Sequence, residues 1–111
     1  MTKEEVKKEH KEQDASPELK RAQARKRFEL SRRRMLADVP TADVVVVNPT
    51  HFAVALRYDG QRPAPQVVAK GQDIVAAAIR KVAEEHGVPV LANPPLARAL
   101  YREVDLGHMI P

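Results

Sequence analysis

Val44-Val45-Val46-Val47-Asn48-Pro49-Thr50-His51-Phe52-Ala53-Val54-Ala55-Leu56-Arg57-Tyr58 is the stretch that decides how this chain folds. Val44 to Val47 is β-branched, apolar throughout and too short for a helix, so it reads as a buried strand. Phe52 to Tyr58 reads as a second strand, ended by Asp59-Gly60. Between the two, Asn48-Pro49 opens a turn, because Asn at the first position and Pro at the second suit type I geometry.

Downstream, Arg62-Pro63-Ala64-Pro65 is a connector, and Gln66 to Lys70 reads as a third strand stopped at Gly71. Asp73 to His86 has the strongest helical period in the chain. Val75, Ile79 and Val82 share one face with Ile74, Ala78 and Ala83 beside them, while Arg80, Lys81, Glu84 and Glu85 face away. Gly87 sits where a helix-ending glycine belongs. Val88 to Ala92 is a fourth strand. Asn93-Pro94-Pro95 then caps and opens a last helix that carries Leu96, Leu100 and Val104 on one side. The order strand–strand–strand–helix–strand–helix predicts an α/β fold: a small mixed four-stranded sheet packed with helices.

Upstream the composition changes. The chain has 111 residues and a net charge of +4. Residues 1–37 hold 12 basic and 7 acidic side chains, whereas 38–111 hold 7 and 8. All four glycines and eight of the nine prolines lie at or beyond Pro40. The reading is a long charged helical arm over 1–37, followed by a compact domain over 38–111 that is small enough for the arm or a partner to matter to its stability. Thr2 to Asp14 is nearly all Lys, Glu and Gln, with Val6 its one aliphatic residue. Ser16-Pro17-Glu18 looks like a helix start, with Ser16 as cap. From there Ala24, Phe28, Ser31 and Met35 form a narrow apolar stripe, and Asp38-Val39-Pro40 ends the helix. Arg25-Lys26-Arg27 and Arg32 to Arg34 are open to three readings: a solvated face, a membrane-surface anchor or a nucleic-acid patch.

Several function classes drop out. With no cysteine, the chain has no disulfide framework, thiol nucleophile or Cys-ligated metal. His10, His51, His86 and His108 include no pair at helical ligand spacing, so neither a metal nor a cofactor is expected. An aromatic content of 4% is thin for base stacking. No apolar run approaches the ~20 residues of a membrane helix.

Asn48-Pro49-Thr50-His51 stands apart. Ordinarily the backbone nitrogen after an Asn attacks the side-chain amide and deamidates it, but Pro49 has no N–H and closes that route. The reverse attack stays open: the Asn48 side-chain nitrogen on its own main-chain carbonyl, forming a succinimide and expelling the Pro49 nitrogen. Attack within one residue gains strongly from proximity. The weak amide nucleophile and the departing proline nitrogen call for proton transfer, and His51 is near enough in sequence to supply it. A backbone N–H or the Thr50 hydroxyl could stabilise the oxyanion. The plain alternative is a turn with no chemistry, and Asn93-Pro94 shows that such a pair can simply start a helix.

The stretch Val44 to Tyr58 resembles the cleavage region of the FlhB/YscU family, the substrate-specificity switch proteins of type III export. The likeness continues through Ala64-Pro65-Gln66-Val67-Val68-Ala69-Lys70-Gly71, Pro95-Leu96-Ala97-Arg98-Ala99-Leu100-Tyr101-Arg102 and Ile110-Pro111. Val67 to Gly71 is more similar to the flagellar branch than to the injectisome branch. The resemblance implies single-turnover self-cleavage between Asn48 and Pro49, with no external substrate, and with the two fragments remaining associated. It carries the nucleophile onto Asn48, the leaving group onto Pro49 and support onto Thr50 and His51. It further implies a switch from rod and hook to filament substrates, at the cytoplasmic face of the bacterial inner membrane. Implied partners are export-gate and other export-apparatus proteins, the hook-length ruler and export substrates. In the family the arm links to four membrane helices, so Met1 is expected to begin a fragment of a membrane-anchored protein. No nucleic-acid partner is expected on this reading. The competing one is a basic-arm module for nucleic acid or anionic membrane, with an inert Asn48-Pro49 turn.

Overall fold

The structure, a computed structural model, describes residues 16–49 and 51–111. The expected Thr2–Asp14 segment and Thr50 lie outside the described residues. The chain divides into two compact units between Arg32 and Arg33. Helix α1, Pro17–Asp38, starts at a Ser16 cap whose Oγ accepts the Leu19 N–H at 3.3 Å. None of its residues is buried, and Phe28 is 62% exposed. Ala24, Phe28 and Ser31 of the apolar stripe are all exposed. Past Arg33, Met35 and Leu36 alone pack against the buried cluster of the second unit. A 3-10 turn, Val39–Thr41, follows at Pro40.

The second unit is a four-stranded mixed sheet of order β3-β2-β1-β4. Strand β1 is Val44–Asn48, β2 Phe52–Arg57, β3 Gln66–Gln72 and β4 Val90–Ala92. β1 pairs antiparallel with β2 and parallel with β4, while β2 pairs antiparallel with β3. Helix α2, Ile74–Glu85, connects β3 to β4, and α3, Pro94–Glu103, follows β4.

Each face of the sheet carries its own core. Val45, Val47, Ala53, Ala55 and Ala69 join Ala76, Ile79 and Ala83 of α2. Val46, Val54, Leu56 and Val67 join Ala97 and Leu100 of α3, with Val104. Cover on both faces is why β1 reads as four consecutive valines and not as an apolar–polar alternation. Each fully buried valine contributes on the order of 1.5–3 kcal/mol.

Several details depart from the sequence reading. β3 does not stop at Gly71 but runs to Gln72. Gly71 serves close packing there, since a Cβ would clash with the Val75 side chain. A β-bulge sets Leu56 opposite Val67 and Ala55 opposite Ala69, so Val68 is the extra residue and shares a face with Ala69. β4 begins at Val90 instead of Val88, whose side chain is buried in the α2-side core. On α3 the buried positions are Ala97 and Leu100, while Leu96 is 39% exposed. The caps of α3 and α2 match the reading: the Asn93 side chain accepts the Leu96 N–H, and Gly87 takes a φ of 70° just past α2.

Candidate functional site

The connection from β1 to β2 is three residues long, Pro49 to His51, because Asn48 pairs directly with Phe52. Both strands are central, so the link is held from two sides. On one side the Asn93 N–H donates to the Val47 carbonyl at 2.9 Å. On the other, the Asp73 N–H donates to the His51 carbonyl at 2.9 Å. Within the turn, the His51 N–H donates to the Asn48 carbonyl oxygen at 2.9 Å.

That last bond matters chemically. The Asn48 carbonyl carbon is the atom that intramolecular attack would use, and its oxygen already faces a backbone donor. Such a donor draws charge onto the oxygen and gains strength as an oxyanion develops. Asn48 is half-buried and Pro49 exposed, so water reaches the outer side of the turn. The structure thus brings Asn48, Pro49 and the His51 backbone together; the fourth sequence candidate, Thr50, lies outside the described residues. The His51 imidazole stands out in solvent, its side chain 61% exposed.

Three neighbours escaped the sequence reading. Asp73, between β3 and α2, places Oδ1 4.0 Å from His51 Nδ1. Phe52 stacks on Tyr101 of α3, ring centroids 4.7 Å apart, and so anchors the exit of the turn. Lys70 reaches from β3 to the end of α3, where its Nζ donates to the Tyr101 and Val104 carbonyls, each at 3.0 Å. A cation there complements the helix terminus. A lone Asp before a helix, an aromatic in a strand and a Lys in a strand carry no sequence signal for these contacts. Among the described residues no cluster of His, Asp and Glu could hold a metal ion, and no helix is long and apolar enough to cross a membrane.

Comparison with known proteins gives one consistent answer. The model of the "FlhB HrpN YscU SpaS Family" matches residues 1–111. The chain is 46% identical to the flagellar biosynthetic protein FlhB of Salmonella typhimurium, over 100% of this chain and 29% of the relative. It is 50% identical to that of Borreliella burgdorferi, over 100% of this chain and 30% of the relative. The chain therefore spans under a third of the length of these curated relatives. Among solved structures, the cytoplasmic domain of FlhB from Shewanella putrefaciens matches with a TM-score of 0.69 and 52% identity, covering 72% of this chain and 62% of that one. A variant EscU C-terminal domain matches with a TM-score of 0.66 and 37% identity, covering 69% and 78%.

Proposed function

We propose, from the premise that this chain belongs to the FlhB HrpN YscU SpaS family, that it is the cytoplasmic self-cleaving part of a flagellar type III export component. Residues 38–111 form the switch domain, and residues 1–37 the charged helical linker to a membrane-anchored part at the inner membrane. The reaction is a single intramolecular turnover with no external substrate. The Asn48 side-chain nitrogen attacks the Asn48 carbonyl carbon, the bond to the Pro49 nitrogen breaks, and water later opens the succinimide left at the new C-terminus. The His51 N–H stabilises the oxyanion, and the His51 imidazole moves the proton from the Asn48 amide to the Pro49 nitrogen. The Thr50 hydroxyl is a second candidate donor to the oxyanion.

The observation that carries this reading is the 2.9 Å bond from the His51 N–H to the Asn48 carbonyl, inside a turn fixed between two central strands. Cleavage would free the two sides of that turn. This change would alter what the domain presents to export-gate proteins, the hook-length ruler and export substrates, exchanging rod and hook for filament export. The cut pieces stay together because β1 belongs to the first and both its neighbours to the second.

Intact mass of the denatured chain tests the reading. Two species, one ending at Asn48 and one beginning at Pro49, are expected, with Asn48→Ala remaining whole. A parent chain that stays whole on long incubation, or an Asn48→Ala chain cut like the parent, overturns it.

A further inference from the structure

Asp73 is the one non-glycine among the described residues with a positive φ, at φ 53° and ψ −112°. That region favours glycine and strains other residues, and such strain tends to collect at functional positions. Asp73 also directly precedes α2, where an aspartate ordinarily accepts the N–H groups of the first helical turn. Here its side chain makes no capping hydrogen bond. The carboxylate stands instead 4.0 Å from His51 Nδ1, and the Asp73 N–H holds the His51 carbonyl at 2.9 Å. Backbone and side chain of one residue therefore both address His51. The two side chains are 61% and 63% exposed, and an ion pair so solvated adds little to stability. Neither helix capping nor folding strength accounts for the arrangement.

We propose that Asp73 is a positioning residue for self-cleavage, its carboxylate holding the Nδ1–H side of the His51 imidazole so that Nε2 is left to move the proton. This rests on the cleavage reading above. The hydrogen bond that one ring nitrogen makes sets the tautomer and aim of the other. Catalytic hydrogen bonds are often long in resting structures and tighten as the reaction proceeds, and 4.0 Å between two exposed side chains leaves such a closure to a side-chain rotation. The balance is simple. Asn48 Nδ2 loses one proton as its bond to the Asn48 carbonyl carbon forms. The Pro49 nitrogen gains one as its bond breaks, and His51 Nε2 carries it between them. The imidazole is transiently cationic beside the carboxylate and ends unchanged.

The test follows cleavage of the full 1–111 chain by mass spectrometry after dilution from denaturant. Asp73→Gly relaxes the backbone and removes the carboxylate, so it should hold or raise the thermal midpoint while slowing cleavage about tenfold or more, within the range general acid–base groups supply. Asp73→Asn keeps an acceptor oxygen and should recover most of the rate. In a His51→Ala background, Asp73→Gly should have no further effect, since a positioning residue acts only through the group it positions. An Asp73→Gly chain cut at the parent rate, or one equally slowed with and without the His51 imidazole, overturns the inference and leaves the cleavage reading standing. A parent chain that is never cut overturns both.

Discussion

Phe52 and Tyr101 stack with their ring centroids 4.7 Å apart and their planes 28° apart, joining the first residue of β2 to α3. Lys70 Nζ lies 5.2 Å from the centroid of the Tyr101 ring and caps the same helix end. The exit of the turn is thereby tied to β3 and α3. Tyr101→Ala should cost about 2 kcal/mol in urea unfolding, less than a fully buried aromatic because both rings are partly exposed. A double-mutant cycle with Phe52→Ala should return a coupling of ~0.5–1.5 kcal/mol. Strict additivity would mean that the stack is incidental.

Gly71→Ala should destabilise the domain by about 1–3 kcal/mol, because the new methyl meets the Val75 side chain with no room to turn. Its Cβ would clash with Val75 Cγ1 and lie 2.7 Å from Val75 Cβ. Val75→Ala in the same chain should return part of that loss. Chemical denaturation of the parent, the two single variants and the double variant decides it.

Pro49→Ala restores an N–H after Asn48 and reopens attack on the side-chain amide. The expected product is a chain deamidated at Asn48, with strand scission slower than in the parent. Peptide mapping by mass spectrometry distinguishes the two. Scission as fast as the parent's would remove proline from the mechanism.

Asp59 sits after β2, where its carboxylate accepts the Gln61 N–H at 2.9 Å and the Arg62 N–H at 3.2 Å. The Gln61 bond is the largest cause and, with the Arg62 bond and the nearby Arg62 and Arg57 charges, holds its pKa below the ordinary value against the opposing effect of desolvation. A depressed pKa favours the folded loop above the unfolded value, and that contribution is lost as pH falls through the lowered one. A carboxyl-carbon NMR titration should therefore show a midpoint under the usual ~3.9. Asp59→Asn should flatten the acid response of the Gln61 and Arg62 amides while leaving the rest of the domain unaltered.

Much of this was legible in the sequence, for reasons that can be named. A run of four valines and a glycine just past a 3.6-period stretch report local geometry directly, so β1 and the end of α2 were readable. The Asn93 cap was readable because its proline neighbours leave few conformations open. The bulge at Val68 was not, since a bulge answers to the partner strand and leaves a valine looking like any other. Gly71 looked like a stop because glycine usually ends strands; only the approach of Val75 reveals its use. At the turn, Asn48-Pro49-Thr50-His51 stands out as a candidate by side-chain chemistry alone. Asp73 does not, because its meaning depends on an unusual φ and on a loop 22 positions earlier in the chain.

β1 lies between β2 and β4, with pairing along both edges. This gives the fold a mechanical property. A pull on the chain ahead of Val44, opposed at the far end of the sheet, acts along the strand, so the rungs on its two sides share the load in shear and do not peel one by one. With the peptide bond after Asn48 open, tension would still pass into the sheet through those rungs. The strand would then act as a clamp between two separate polypeptides, one whose strength depends on the sheet remaining folded.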